Sequence, residues 1–304
     1  MKCVLIGYGY WGKILERYIK ESSFFKLSGI YDPLLEDKLE MTEILTDKSI
    51  ECAFVCNPIE EHYSTVKLLL EHGKHVFCEK PLSKNLEESM ELLNLAKKNN
   101  LTLFTDYIYT VSPSINEIKK KISVLGKVLY CEGNIKQFGK FYQNDNVFEV
   151  LGVHMISSIS YILDSELKIT KVVSKKENSN KIIEVGTLEF ETENNIKGII
   201  NSSLLTQEKE RKINFICEFG NIEFDMLGEK TVKIIRNIET REGYNNEIIF
   251  SKKFDESNNL FNALEEFDRH IKKNKCNENI TLNVENQKDN TDIILALKSP
   301  IKWI

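Results

Sequence analysis

The stretch Lys2-Cys-Val-Leu-Ile-Gly-Tyr-Gly-Tyr-Trp-Gly12 decides the fold. Cys3–Ile6 is a short apolar run that reads as a buried strand, and Trp11–Lys20 has helical periodicity. Between them lie glycines at 7, 9 and 12, the spacing G-x-G-x-x-G. Gly7 permits a tight turn, Gly9 lets backbone approach a pyrophosphate, and Gly12 lets helix and strand pack closely. The free N–H groups and positive end of the helix then meet the pyrophosphate. Asp32 stands twenty positions beyond Gly12, at the end of a second strand, Leu27–Tyr31. A carboxylate there accepts hydrogen bonds from an adenosine ribose and repels a 2′-phosphate, and no arginine follows to compensate. The expected cofactor is therefore NAD rather than NADP, held by Gly7, Gly9, Tyr10, Trp11, Gly12 and Asp32. The alternative is a glycine-rich structural turn with a surface aspartate.

Strand and helix signals continue to alternate beyond this point. Glu51–Cys56, Val76–Cys78 and Leu101–Thr105 read as strands, while His62–His72 and Leu86–Lys98 read as helices. Short connections between them imply a parallel sheet covered on both faces. Only Pro33 to Ile50 separates Asp32 from the third strand, with one helix near Lys38–Leu45. That is short for a crossover with an extra strand, so the adenine side is expected to be open.

After about residue 120 the pattern changes. Val128–Ile135, Ile169–Lys175, Ile182–Phe190, Ile196–Leu204, Ile213–Phe219, Asn221–Phe224, Thr231–Ile235 and Ile248–Phe250 are rich in β-branched and aromatic residues. Turn pairs such as Asn194-Asn195 and Gly220-Asn221 separate strands of a mostly antiparallel sheet. Helices are expected at Val150–Leu163, Leu260–Lys273 and Glu285–Lys298. The fold class is α/β: a Rossmann dinucleotide-binding domain over 1–120, then an α+β domain over 121–304 with an open sheet for substrate binding and oligomerisation.

The 304 residues are 41% hydrophobic and 29% charged, a globular composition with room for two cores. A net charge of −5 offers no electrostatic reason to expect nucleic acid or an anionic membrane as partner. No apolar run approaches the ~20 residues that span a bilayer, and the amino terminus lacks the layout of a signal peptide. Seven scattered cysteines without paired spacing read as buried thiols in a reducing cytoplasm, with no metal site.

Several segments together resemble one family, the glucose–fructose oxidoreductase and inositol dehydrogenase (Gfo/Idh/MocA) family. They are Gly7-Tyr-Gly-Tyr-Trp-Gly12, Cys56-Asn-Pro58 with His62, and His72-Gly-Lys-His-Val-Phe-Cys-Glu-Lys-Pro81. Further on come Thr105-Asp-Tyr-Ile-Tyr109 with Pro113, and Gly152-Val-His154. The resemblance implies that Asn57, Pro58, His62, Glu79 and Lys80 also face the cofactor. The Gly-Tyr-Trp-Gly wording, with Leu204-Leu-Thr-Gln-Glu-Lys-Glu-Arg211 and Phe219-Gly-Asn-Ile-Glu-Phe-Asp225, looks like a branch acting on nucleotide-linked sugars for surface polysaccharides.

Hydride transfer needs a group to take the hydroxyl proton. Lys80 follows the fourth strand, where it could reach the nicotinamide ribose and the reacting oxygen. His154 matches the family's acid–base histidine. The family places an aspartate four residues earlier, but this chain has Val150 there and Glu149 one position before. In an α-helix that shift rotates the carboxylate by roughly 100°, so Glu149 substitutes only if the helix starts irregularly. Ser157 occupies the place of a second family aspartate. Tyr107 or Tyr109 could carry the proton with Lys80, and Asp106 is another stand-in or a strand-end cap. Tyr109 is taken as catalytic with Lys80 and His154; Lys80, Tyr107, Glu149, His154, Lys209 and Arg211 are taken as substrate-binding. Lys209 and Arg211, two apart on a strand, could clamp a diphosphate or form a solvated edge.

The expected function is an NAD-dependent oxidoreductase acting on a sugar hydroxyl or keto group. A reductase of a non-sugar acceptor, as in biliverdin reductase, and a catalytically silent NAD-binding regulator are the alternatives. By resemblance, the partners are a sugar or sugar nucleotide and further copies of the chain, as homodimer or homotetramer.

Overall fold

The computed structural model describes residues 1–83, 85–142 and 145–275. The helix expected at Glu285–Lys298 and Cys276 lie outside the described residues. The chain divides into two compact units, one of Met1–Ile108 with a segment starting at Asn258, the other of Tyr109–Ser257.

The first unit follows the alternation read above: β1 (Lys2–Ile6), α1 (Tyr10–Glu21), β2 (Lys26–Tyr31), α2 (Met41–Thr46), β3 (Cys52–Val55), α3 (Ile59–Glu71), β4 (His75–Glu79), α4 (Leu86–Lys98) and β5 (Leu103–Asp106). The strands form one parallel sheet in the order β2-β1-β3-β4-β5. The chain reverses direction across the sheet at β1 and β3, the switch point where such sheets bind ligands beyond their carboxyl ends. No strand forms between β2 and β3, so β2 is an edge. The brevity of that crossover was visible in the sequence. β1, β3 and β4 are almost wholly buried, as strands covered on both faces must be.

The second unit contains α5 (Pro113–Lys121), β6 (Val128–Phe138), a π-helical turn at Phe148–Gly152, α6 (Val153–Leu163), β7 (Lys168–Glu177), β8 (Ile183–Glu191), β9 (Lys197–Ser203), β10 (Leu205–Cys217), β11 (Gly220–Asp225), β12 (Thr231–Thr240) and β13 (Gly243–Lys253). Its eight-stranded sheet has the order β13-β12-β11-β10-β6-β9-β8-β7. Every pairing is antiparallel except β6 with β9. β10 begins at Leu205, eight residues before the expected Ile213, because its first half is charged and carries no apolar alternation. α5 was not expected; Ser112 caps it by accepting from Ile115 N–H at 3.3 Å, and Pro113 occupies its first turn.

The last described helix, α7 (Asn259–Lys275), was assigned by sequence to the second domain, but it belongs to the first unit. Phe267 explains this. Its ring lies 5.6–6.0 Å from those of Phe25, Phe54, Phe77 and Phe104, so α7 is fastened to the sheet by an aromatic cluster. Phe267 is fully buried. Phe267→Ala should therefore destabilise the protein by about 3–5 kcal/mol, read by urea denaturation; a loss under 1 kcal/mol would show that α7 contributes little to the first unit.

Candidate functional site

The carboxyl edge of the parallel sheet is built by close backbone approach. Gly7 has φ +91°, and a Cβ there would meet the backbone of Asn57 at 2.4 Å. A Cβ at Gly12 would meet the Gly7 carbonyl at 2.3 Å. Gly9 is different: nothing lies within 4 Å of where its Cβ would sit. Two of the glycines are thus demanded by the protein itself, while the third faces open space, as backbone awaiting a ligand should. Gly9 is also the N-cap of α1, which has no side-chain cap and no acidic residue in its first turn. Its first N–H groups are available to an anion.

Asp32 follows β2 directly. Its carboxylate accepts the backbone N–H of Tyr8 at 2.6 Å and of Leu34 at 2.9 Å, which ties the β2 tip to the glycine loop. Each oxygen retains a further lone pair for a ribose hydroxyl. Tyr10 is 78% exposed. His62, on α3, is buried, with Nδ1 2.7 Å from the Pro81 carbonyl and Nε2 2.9 Å from that of Asn57. It is a strut between the loops after β3 and β4. Burial pushes its pKa down.

Trp11 Nε1, at the start of α1, and Asn57 Oδ1, just after β3, are buried with no hydrogen-bond partner among the described residues, and Glu79 Oε1 and Asp106 Oδ1, at the ends of β4 and β5, receive no N–H or hydroxyl. Buried polar groups rarely go unsatisfied. The Trp11 donor and the Asn57 acceptor fit a ligand rich in amides and hydroxyls at the carboxyl edge. Glu79 and Asp106 were legible as residue types but not as neighbours; their pairing comes from the β4–β5 register.

Tyr107 needs correcting. It is 1% exposed, and burial, with the neighbouring Cys78, raises its phenol pKa. Its position does not support the expected substrate contact.

In the second unit, Tyr109 and His154 meet edge to face, with ring centroids 5.2 Å apart. Tyr109 also hydrogen-bonds Arg211. Burial raises its pKa more than Arg211 lowers it, so the phenol keeps its proton. Arg211 donates to Gln137 Oε1 at 2.9 Å, a residue that sequence reasoning missed because nothing marks a glutamine on β6 as the neighbour of β10. Lys209 is exposed, within the irregular stretch of β10 between Leu205 and Glu210. The expected Lys209–Arg211 clamp is reduced to Arg211.

The helix start is irregular, as the Glu149 substitution required. Phe148–Gly152 forms a π turn in which Val153 N–H donates to the carbonyl of Phe148, five residues back. In α geometry residues four apart stack; in this turn residues five apart do. The roughly 100° offset of a regular α-helix therefore does not hold between Glu149 and His154. Its Oε2 accepts the Asn146 N–H at 2.8 Å, which anchors the side chain. Ser157 turns its hydroxyl to the His154 carbonyl at 3.1 Å rather than acting as a carboxylate would.

Among the described residues no helix is long and apolar enough to cross a membrane, and no group of three metal-ligating side chains occurs. The six cysteines described are free, and five of them are buried.

A parallel sheet with a glycine-lined carboxyl edge and a carboxylate at the tip of β2 defines a dinucleotide-binding domain of the oxidoreductase class. The model of the GFO_IDH_MocA oxidoreductase family, with its NAD-binding Rossmann fold, matches residues 1–107. That match covers the NAD-binding domain and ends where the second unit begins. It is 28% identical over 103 residues to scyllo-inositol 2-dehydrogenase (NADP(+)) of Bacillus subtilis, covering 34% of this chain and 31% of that protein. An oxidoreductase of Streptococcus pneumoniae is 29% identical over 143 residues, 43% of this chain and 39% of the relative. The chain thus matches about two fifths or less of these relatives' length. In fold it is similar to UDP-N-acetylglucosamine 3-dehydrogenase from Acidithiobacillus ferrooxidans (TM-score 0.81, 18% identity, 98% of this chain and 96% of that one). It is also similar to a 3-ketoreductase from Actinomadura kijaniata solved with TDP-benzene and NADP (TM-score 0.79, 13% identity, 97% and 96%).

The glycine geometry makes a sharp prediction. Gly9→Ala should fold with a melting temperature close to that of the wild type yet lose NADH affinity at least about tenfold, measured by calorimetry. Gly12→Ala should lose stability instead. Equal NADH affinity in Gly9→Ala and the wild type would show that Gly9 does not face the cofactor.

Proposed function

We propose that the chain is an NAD-dependent oxidoreductase that moves a hydride between the nicotinamide and a sugar hydroxyl or keto carbon, the sugar being linked to a nucleotide. The observation that carries this reading is the open backbone at Gly9 on the uncapped start of α1, with the buried, unpartnered Trp11 Nε1 and Asn57 Oδ1 nearby in sequence. The start of α1 would hold the pyrophosphate and Asp32 the adenosine ribose. Asn57, Trp11, Glu79 and Lys80 would hold the nicotinamide half, with Pro58 and His62 shaping the loop between them. When bound, the cofactor supplies the hydride acceptor or donor; the protein handles the proton.

Proton handling falls to Lys80 in the first unit and to Tyr109 and His154 in the second. A protonated Tyr109 phenol suits donation to a ketone oxygen. An imidazole titrates near neutrality and suits both directions, and Glu149, in the π turn before it, is the carboxylate that would orient it. Arg211, with its planar fork and a partner in Gln137, suits one phosphate of a sugar nucleotide. The named relatives support this substrate class: one acts on a UDP-linked sugar, and another was solved with a TDP derivative. Surface-polysaccharide biosynthesis in the cytoplasm is the corresponding context, and association of copies through the second unit's sheet the corresponding assembly. NAD over NADP rests on Asp32, whereas the inositol dehydrogenase and the ketoreductase are named with NADP.

Two experiments test the proposal. Calorimetry should show NADH binding at least about tenfold tighter than NADPH, and Asp32→Ala should narrow that gap; tighter NADPH binding would overturn the NAD assignment. With a panel of UDP- and TDP-sugars, Lys80→Ala should lower turnover by about 10²-fold or more without lowering the melting temperature. Near-normal turnover would remove Lys80 from the mechanism.

The π turn adds a further test. Glu149→Gln should cut turnover by about tenfold or more with little change in KM, whereas Val150→Asp should not rescue it, since position 150 is out of register with His154. Rescue by Val150→Asp would show that the turn is not what sets the register.

A further inference from the structure

Glu79 and Asp106 are the last residues of β4 and β5 and lie directly opposite each other in the parallel register. Asp106 is buried, Glu79 is half-buried with its Oε1 enclosed, and their side chains are hydrogen-bonded to each other. A hydrogen bond between two carboxyl groups requires a proton, because two buried carboxylates at contact cannot both ionise. Glu79 also accepts a hydrogen bond from the backbone N–H of Lys80. On the next loop the Pro81 carbonyl is held by His62.

We propose that Glu79 and Asp106 form an acid pair sharing one proton, and that Asp106, acting through Glu79, is a positioning residue for Lys80. The pair then carries a single negative charge beside a lysine, which balances the lysine charge without two adjacent anions. The positioning half rests on the role proposed for Lys80; the shared proton does not.

The surroundings fit. Lys80 faces the pair from the loop after β4, Cys78 from β4 itself and Cys56 from the loop after β3. The two thiols are pushed up by burial and stay neutral, so Lys80 is the charged group acting on both carboxyls. Burial raises both carboxyls, and the Asp106 charge raises Glu79 further, so the facing pair holds one proton between them. Oε1 of Glu79 and Oδ1 of Asp106 are buried and receive no N–H or hydroxyl from the described residues, which leaves the shared proton as the bond open to them.

The sign with pH follows. The folded protein keeps a proton that the unfolded chain releases near the ordinary carboxyl pKa of about 4. The pair's stabilisation is therefore fully present below that value and is lost as pH rises through the raised folded value.

The test uses the whole protein without cofactor. Infrared spectroscopy of the wild type at pH 7 should show the C=O stretch of a protonated carboxyl, and that band should vanish in both Asp106→Asn and Glu79→Gln. In either variant the new amide donates to the remaining carboxyl, which then ionises. Absence of the band in the wild type, or its survival in Asp106→Asn, would overturn the shared proton; the wild-type spectrum alone decides the first point if a variant does not fold. For the positioning role, Asp106→Asn should keep NADH affinity within about threefold, while Asp106→Ala should lose about tenfold. Equal affinities in the Asn and Ala variants would overturn the positioning role. Unchanged NADH affinity in Lys80→Ala would overturn the role of Lys80 and leave the infrared result standing.

Discussion

The geometry of the first unit depends on one constraint: at the end of β1, backbone packs on backbone with no side chain between. Gly7 sits where a Cβ would strike Asn57, and Gly12 where one would strike the Gly7 carbonyl. That contact sets where α1 begins and how close it lies to β1. It also brings Tyr8 N–H within 2.6 Å of Asp32, closing the loop over the tip of β2. The Cys56 thiol donates to the Gly7 carbonyl at 3.1 Å, which joins the end of β3 to the same knot. With the strand ends aligned in this way, Asn57 comes just after β3 and Glu79 faces Asp106 across the ends of β4 and β5. A side chain placed at Gly7 would strike Asn57 first and through it disturb the strand ends beside it.

Much of this was legible in the sequence, and the reason is physical. Buried parallel strands read as apolar runs, and glycine spacing reports backbone approach rather than side-chain chemistry. Where elements were missed, the sequence carried a weaker signal. The first half of β10 is charged on both faces, so period-two alternation could not mark it. α7 has an ordinary amphipathic pattern, and nothing in that pattern says which unit its Phe267 face will find. Glu79 and Asp106 lie 27 positions apart and meet only through strand register. The five-residue offset between Glu149 and His154 is a departure in an α-helix and a match in a π turn. Only the backbone distinguishes the two.

The second unit shows how a sheet gathers side chains that are far apart in sequence. Arg211 on β10 and Gln137 on β6 meet because these strands are neighbours in the sheet. Tyr109 then stands between two influences, the His154 ring and the Arg211 guanidinium. Burial of a phenol disfavours its ionised form, and a nearby guanidinium favours it. Here burial prevails, so Tyr109 is a hydrogen-bond donor at neutral pH. In the proposed reaction that suits a group meeting a ketone oxygen. Arg211 cannot lose its proton at all, which suits it to an anion and not to proton transfer. Chemistry thus separates the roles of two residues that share a hydrogen bond.

The proposed cofactor preference turns on a single carboxylate whose surroundings are already arranged. Asp32 does not wait in solvent for a ribose; two backbone N–H groups hold it at the tip of β2. Those bonds fix the carboxylate in place before any ligand arrives. A 2′-phosphate brought to that point would meet a fixed anion of like sign, and Leu34, 93% exposed, offers no compensating charge. Relatives named with NADP share the fold, so the distinction cannot come from the sheet or the glycine loop. It has to come from what stands at the tip of β2, and in this chain that residue is held in place by the same loop that would bind the pyrophosphate.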